Sequence, residues 1–318
     1  MFIPPRSYIF TIALVGALLC ATLAQGEDTK TLSGTAQYST ESLIAWCIVP
    51  FDARKRGPEE RAEMMAHLGI RHFAYDWRAE HIPTFDEEME VLKRFGISLD
   101  AFWFPSALND DAKTILTLLK RHNIKTQLWV TASGGVIEKT PEEQQKAIDE
   151  HVRIFKPIVE AAAEIGCSVG LYNHGNWFGE PENQIAILKA LDADNVGLVY
   201  NLHHGHDHVD RFPALLDSMK PYLYALNLNG TERGGDKAGN KILPIAQGGL
   251  DLQLLQQIKD SGYTGPIGIL GHTDNDAERT LQDNLEGLAW LLPQLDGGKV
   301  PGPKPVPLAG LKKTKNSG

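Results

Sequence analysis

The chain has 318 residues, 31 Lys and Arg against 40 Asp and Glu, a formal charge of −9 and a hydrophobic content of 42%. This acidic balance excludes the basic surface by which a protein binds nucleic acid. The composition is that of a globular chain with ample material for a core, and three cysteines are too few for a disulfide scaffold, so folding rests on burial.

The first 25 residues read as a signal peptide. Arg6 supplies the positive start, 8–19 is an apolar run, and Ala21 and Ala24 are the small residues before a cut near Gln25. The run is shorter than the ~20 residues a membrane span needs. The mature chain is therefore expected to be secreted or periplasmic, with no stable membrane insertion. Cys47 and Cys167 remain, and both lie in apolar runs where buried free thiols are expected. Residues 26–36 read as a flexible segment. Residues 297–318, rich in Pro, Gly and Lys, read as a disordered tail.

Between these ends, 37–296 alternates eight short apolar runs with eight helical patterns. The runs are 43–49, 71–76, 98–104, 125–130, 168–172, 196–201, 222–228 and 266–270. The helical patterns are 58–68, 85–95, 110–122, 140–165, 180–191, 209–219, 250–261 and 277–292. Glu87 and Glu88 early and Lys93 and Arg94 late suit the dipole of the second helix. Thr140-Pro-Glu-Glu is an N-cap with proline in the first turn. Gly69, Gly96, Gly166 and Gly262 each follow a helical pattern and precede a run, the place of a left-handed cap. Eight strand–helix units with runs apolar on both faces predict a single all-parallel (β/α)8 TIM barrel. A doubly wound open sheet is disfavoured by the count of eight and by the absence of a Gly-rich phosphate loop after the first strand.

Chemistry in such a barrel gathers at the C-terminal ends of the strands. Those ends carry Trp46; Asp76, Trp77 and Arg78; Trp103; Trp129; Asn173, His174 and Trp177; Asn201, His203, His204 and His206; Asn227 and Asn229; His272, Asp274 and Asn275. Four of the 11 histidines fall within six residues, 203–208. Aromatic faces, amides and imidazoles together suit a small carbohydrate ligand. Asp76 is expected to pair with Arg78 or a neighbour, and His206 and His208 to begin the next helix as solvated side chains. Asn229-Gly-Thr231 matches a glycosylation sequon but sits at a strand end, where access is poor. His174, His204 and His272 lie on three strand ends and could hold a divalent metal ion, since imidazole suits zinc, copper, iron or nickel.

Leu171-Tyr-Asn-His-Gly175, Val196-Gly-Leu-Val-Tyr-Asn-Leu-His-His204, Leu223-Tyr-Ala-Leu-Asn-Leu-Asn229, Gln247-Gly-Gly-Leu-Asp251 and Gly262-Tyr-Thr-Gly-Pro-Ile267 together resemble the xylose isomerase-like barrel superfamily, which includes sugar phosphate isomerases and epimerases. The resemblance spans roughly residues 37–296 and implies a sugar pocket. Its metal set of Glu, Asp, His and Glu on strands five to eight maps to Tyr172, Asn201, Asn227 and Leu270, which depart from it at every position. Two further positions match: His204 stands where the family has a substrate-contacting histidine, and Arg233 where its epimerases have a substrate-binding arginine. The resulting expectation is a sugar isomerase or epimerase-like enzyme, with a lyase as a variant, acting on a carbohydrate or keto-sugar derivative. His174 and His204 would move protons. Asn173, Trp177, Asn201, His203, Asn227, Asn229 and Arg233 would bind substrate. The competing expectation is a carbohydrate-binding barrel without turnover. A hydrolase would need two placed carboxylates, and no spacing supplies them.

Overall fold

The computed structural model describes Met1 and residues 35–133 and 135–308. The expected signal peptide, Met1 apart, falls outside the described residues, as does most of the expected flexible segment.

Eight strands run in chain order, β1 Leu43–Trp46, β2 His72–Tyr75, β3 Ser98–Trp103, β4 Gln127–Val130, β5 Ser168–Tyr172, β6 Val196–Asn201, β7 Leu223–Leu228 and β8 Ile267–Leu270. Each pairs in parallel with the next, and β8 pairs with β1, which closes the barrel. The helices after each strand are α1 Pro58–His67, α2 Phe85–Phe95, α3 Asp110–Arg121, α4 Pro141–Glu164, α5 Pro181–Leu191, α6 Phe212–Met219, α7 Asp251–Asp260 and α8 Ala277–Leu291. Among the described residues no helix is long and apolar enough to cross a membrane.

The helix-ending glycines behave as expected: Gly69, Gly96, Gly166 and Gly262 all have φ between 66° and 75°. At Gly96 a methyl group would touch nothing, so glycine is there for its backbone alone. Asn109 and Thr140 cap α3 and α4 through their side chains. The first and last units are tied together by Arg56, which donates to Asp52 at 2.9 Å, to Asp276 at 2.8 Å and to Glu278 at 2.9 Å.

Strand alternation divides the burial into two cores. Residues such as Phe73, Leu128, Val169, Leu198 and Ile269 face the helices. The inward set is different in kind. Ile44, Trp46, Ala74, Ala101, Trp129, Tyr172, Val199 and Leu270 fill the barrel, with Trp103 packed against them. Trp46 meets Trp129 edge to face at 4.8 Å, and Trp103 meets Tyr172 at 5.0 Å. Rings this large fit because their neighbours are small. At Gly170 an added Cβ would stand 2.7 Å from Val199 and 2.9 Å from Trp129.

Below this plug the N-terminal face carries an open hollow of about 620 Å³, bordered by Asp100, Lys125, Thr126, Ser168 and Tyr224. Part of the stretch expected to be disordered is attached to the barrel. Trp290 donates to the Gly302 carbonyl at 3.0 Å, Gln247 to that of Pro305 at 2.9 Å, and Leu308 N–H donates to Asp283 at 2.7 Å. Proline blocks regular structure there but leaves carbonyls that side chains of the barrel can bond.

Gly170→Ala is expected to lower stability by about 1–3 kcal/mol, the usual cost of overpacking a closed core. Urea unfolding followed by tryptophan fluorescence would measure it, and an unchanged midpoint would mean that the plug can shift.

Candidate functional site at the C-terminal mouth

The short polar link after β6 winds into two 3-10 turns, Leu202–His204 and His206–His208. They turn His203 and His204 toward the mouth and His206 and His208 into the wall. The His203 and His204 rings are 3.8 Å apart, His204 is 4.6 Å from His174, and His203 is 6.4 Å from His272. Three strand ends therefore contribute four imidazoles to one patch. His174 stands exposed at its rim, His204 and His272 are half-buried, and His203 is buried. Phe51 packs on His272 at 3.6 Å and carries the Arg78 guanidinium on its ring at 5.3 Å.

His203, His204 and His272 sit at low dielectric beside like charge, with His174 at their solvent edge. Burial lowers the pKa of His203 and His204 well below the usual value, with neighbouring histidines and Lys241 adding to the effect. His272 falls to about 4, chiefly through burial. His174 is lowered by burial and by Lys241. Each shift favours the unprotonated imidazole, and Lys241 and Arg78 bring positive charge to the mouth. Burial lowers Lys241 as well. Lys241 lies in the long link between β7 and α7, where no periodic signal marks it in the sequence.

The floor of the mouth holds Asp76, which is 2% exposed. Its Oδ1 accepts from Val49 N–H at 3.3 Å, while Oδ2 is buried without a partner. Arg78 does not neutralise it as expected, because Arg78 Nη1 donates to the carbonyls of Asp76 and Trp77. Burial raises the Asp76 pKa to about 7 against the pull of Arg78. The Cys47 thiol beside it is also pushed up, first by burial and then by the Asp76 charge. Cys47 and Cys167 are both free and buried.

The expected amides form a ladder across three strand ends. Asn173 Oδ1 accepts from Asn201 N–H at 2.7 Å and from Asn201 Nδ2 at 3.3 Å, and Asn227 Nδ2 donates to Asn201 Oδ1 at 2.9 Å. Asn227 Oδ1 and Asn229 Oδ1 are buried and unpartnered. The Asn227 oxygen occupies the space a Cβ at Gly268 would need, 1.8 Å from it. A buried acceptor without a donor costs roughly 1–3 kcal/mol.

Two expected substrate contacts lie elsewhere. Trp177 is fully buried in the helical layer, donates to Gln144 at 2.6 Å and packs on His151 at 5.1 Å. A short helical turn, Asn176–Gly179, carries it outward, which loop position alone does not reveal. Arg233 is exposed and pairs with Asp210 at 2.7 Å. His206 and His208 are buried instead of solvated. His206 Nε2 lies 2.9 Å from the Lys241 carbonyl, and His208 bridges Tyr200 at 2.9 Å and Glu180 at 3.1 Å. The Asn229-Gly-Thr231 sequon is closed off, with Asn229 and Thr231 both buried.

The metal set implied by the resemblance does not fit these residues. Tyr172 OH is bonded by Trp46, Leu270 is apolar, and the amides of Asn201 and Asn227 bond one another. Among the described residues no three His, Cys, Asp or Glu are grouped to hold a metal ion, and that covers His174, His204 and His272. His272 turns to Phe51 while His174 turns to His204.

The family described as xylose isomerase-like TIM barrel matches residues 73–293. The chain belongs to this family. A relative in sequence is an uncharacterized protein of Methanocaldococcus jannaschii, 23% identical over 203 residues, 57% of this chain; the chain spans 66% of that relative's length. Among solved structures, the E. coli 3-keto-D-glucoside 4-epimerase superposes with a TM-score of 0.58 at 15% identity, over 80% of this chain and 99% of that one. The zinc-bound IolI protein gives 0.61 at 14%, over 79% and 98%. The probable 3-DHS dehydratase of Bacillus anthracis gives 0.60 at 14%, over 78% and 98%. At these identities the likeness establishes the barrel fold, and leaves the chemistry to this chain's own residues.

A carboxyl whose pKa is higher in the folded than in the unfolded chain stabilises the fold fully below the unfolded value and loses that contribution as pH rises through the folded one. For Asp76 the window is pH 4 to 7, and the loss is on the order of 4 kcal/mol at about 1.4 kcal/mol per unit. Asp76→Asn is expected to remove this component. Thermal melts should show the variant at least as stable as the parent at pH 8, and the two converging at pH 4. A variant less stable at pH 8 would show that the carboxylate is held by a partner.

Proposed function

We propose that the protein is a sugar isomerase or epimerase-like enzyme that acts on a carbohydrate or keto-sugar derivative by histidine-assisted proton transfer. The observation that carries this reading is the contact between His174 and His204 at the ends of β5 and β6, 4.6 Å between ring centres, with both imidazoles held unprotonated. An unprotonated imidazole at a barrel mouth is a base ready at neutral pH. Lys241 and Arg78 supply positive charge where an oxyanion would develop. The N–H groups of the imidazoles suit hydroxyls. Solved proteins of the same fold include a 3-keto-D-glucoside 4-epimerase and a probable 3-DHS dehydratase, so the lyase variant belongs to the same reading. The apolar N-terminal run supports export, which points to free sugars or oligosaccharide derivatives as substrates.

A second reading, a carbohydrate-binding barrel without turnover, is favoured by one feature: Tyr172 and Leu270 replace the carboxylates the family uses, and the asparagines bond each other. Incubation of the purified chain with a panel of keto-sugars in D2O, followed by proton NMR, separates the two. Exchange at the carbon beside the carbonyl is expected, reduced about 10²–10⁴-fold by His204→Ala and strongly reduced by His174→Ala. Arg233→Ala is expected to leave the rate within about twofold, since surface pairs contribute little. Binding by calorimetry with no exchange for any sugar would overturn the enzyme reading in favour of the binding protein.

A further inference from the structure

We propose that Arg78 is the specificity residue of this mouth and that it selects a keto-sugar acid, binding the carboxylate with the edge of its guanidinium that the protein leaves open. The inference rests on the sugar reading above and names the class of sugar.

Three neighbouring strands set the place of Arg78. β8, β1 and β2 stand side by side in the ring, and the segments after them supply His272, Phe51 and Arg78. The Arg78 guanidinium lies over the Phe51 ring at 5.3 Å, and Phe51 packs in turn on His272 at 3.6 Å. His272 faces His203 at 6.4 Å, so this arc of the rim continues into the histidine patch. Arg78 is exposed on it.

A structural role leaves half of the side chain unexplained. A guanidinium carries five N–H groups. Nη1 uses its two on the carbonyls of Asp76 at 3.0 Å and Trp77 at 2.7 Å, and capping those carbonyls needs nothing more. Among the described residues Nε and Nη2 bond no acceptor, and no carboxylate pairs with Arg78. The Nε–Nη2 edge presents two parallel N–H groups, which match the two oxygens of a carboxylate. The bonds to Nη1 and the Phe51 ring already hold the plane, so little side-chain freedom is left to lose on binding.

The neighbouring acids do not fill that edge. Asp76 is buried and takes its bond from Val49 N–H. Asp274, which follows the same strand as His272, is exposed and pairs with no cation among the described residues. Lys241 adds a second positive charge, since it and Arg78 both disfavour the protonated form of His272. In a chain of formal charge −9 an anionic ligand needs such local cations to approach. With the carboxylate at Arg78, the rest of the sugar lies along the His272 and His203 rings. A phosphate offers the same pair of oxygens; the export proposed above favours the carboxylate.

The test uses the full chain with paired sugars, each keto-hexonate beside the keto-hexose that carries a hydroxymethyl group in place of its carboxylate, 5-ketogluconate beside sorbose among them. Calorimetry gives dissociation constants, and exchange in D2O gives rates, for the parent, Arg78→Gln and Arg78→Lys. The parent is expected to bind at least one acid about 10–100-fold more tightly than its neutral partner, the usual effect of charge-assisted hydrogen bonds. Arg78→Gln is expected to bring that ratio to within about twofold of one, and Arg78→Lys, which keeps the charge and loses the fork, to restore only part of it. The ratio separates this role from others, because a residue that only supports an oxyanion or caps a backbone changes both members of a pair alike. Circular dichroism establishes that each variant is folded. A parent that binds no acid, or binds each acid no better than its neutral partner, overturns the proposal, as does folded Arg78→Gln that keeps the parental ratio. A parent that prefers keto-hexose phosphates to the acids overturns the assignment of the carboxylate. An Arg78-dependent preference for the acid, with exchange at no sugar, upholds this proposal and removes the proton-transfer reading.

Discussion

Closing eight parallel strands into a ring leaves a space along the axis that must be filled by side chains from alternate positions. Here Trp46, Trp129 and Tyr172 fill it, with Trp103 above them. Everything at the mouth is built on that plug. It fixes Tyr172 in the centre through Trp46, sets the depth at which Asp76 is cut off from water, and gives His204 a ring to lean on. Gly170 and Gly268 are the counterpart of the large side chains: the first makes room for Trp129, the second for the Asn227 amide.

A dry floor also decides the electrostatics. Removing water raises carboxyls and lowers imidazoles, so burial, helped at the histidines by like charge, moves Asp76 and the four histidines toward their neutral forms. The charge that remains is carried by Lys241 and Arg78, at the rim and not the floor. The outcome is a mouth with uncharged hydrogen-bonding groups inside and cations at its edge, a polarity that accords with the keto-sugar substrate proposed above. The acidic metal set that the resemblance implies would have the opposite polarity, and the positions it maps to are here a phenol, two amides and a leucine.

Much of the barrel was legible in the sequence because each strand and helix announces itself locally. A run such as 168–172 is bounded by Gly166 and by polar residues, and the structure places β5 on the same residues. The turns after the strands were harder. The direction of a side chain there depends on whether the chain rises, coils or folds back, and that is settled by tertiary contacts. Trp177 was expected in the pocket and lies in the helical layer because one helical turn rotates it outward. His206 and His208 carry no local sign that carbonyls and Glu180 will bury them. Asp76 is visible as a strand-end residue, but sequence leaves its partner open between Arg78 and a neighbour; only the backbone carbonyls that Arg78 bonds show where that cation goes. Lys241 sits in a link with no period at all, and only folding brings it over the histidines.

The aromatic plug has one more consequence. It separates the molecule into two chemical compartments. A solute in the hollow on the N-terminal face, against Asp100 and Lys125, has no passage along the axis to the mouth, and a proton released above the plug leaves by the rim. The two faces can therefore diverge independently. Substitutions around the lower hollow answer to the stability of the barrel, while those around the upper rim answer to whatever the mouth holds.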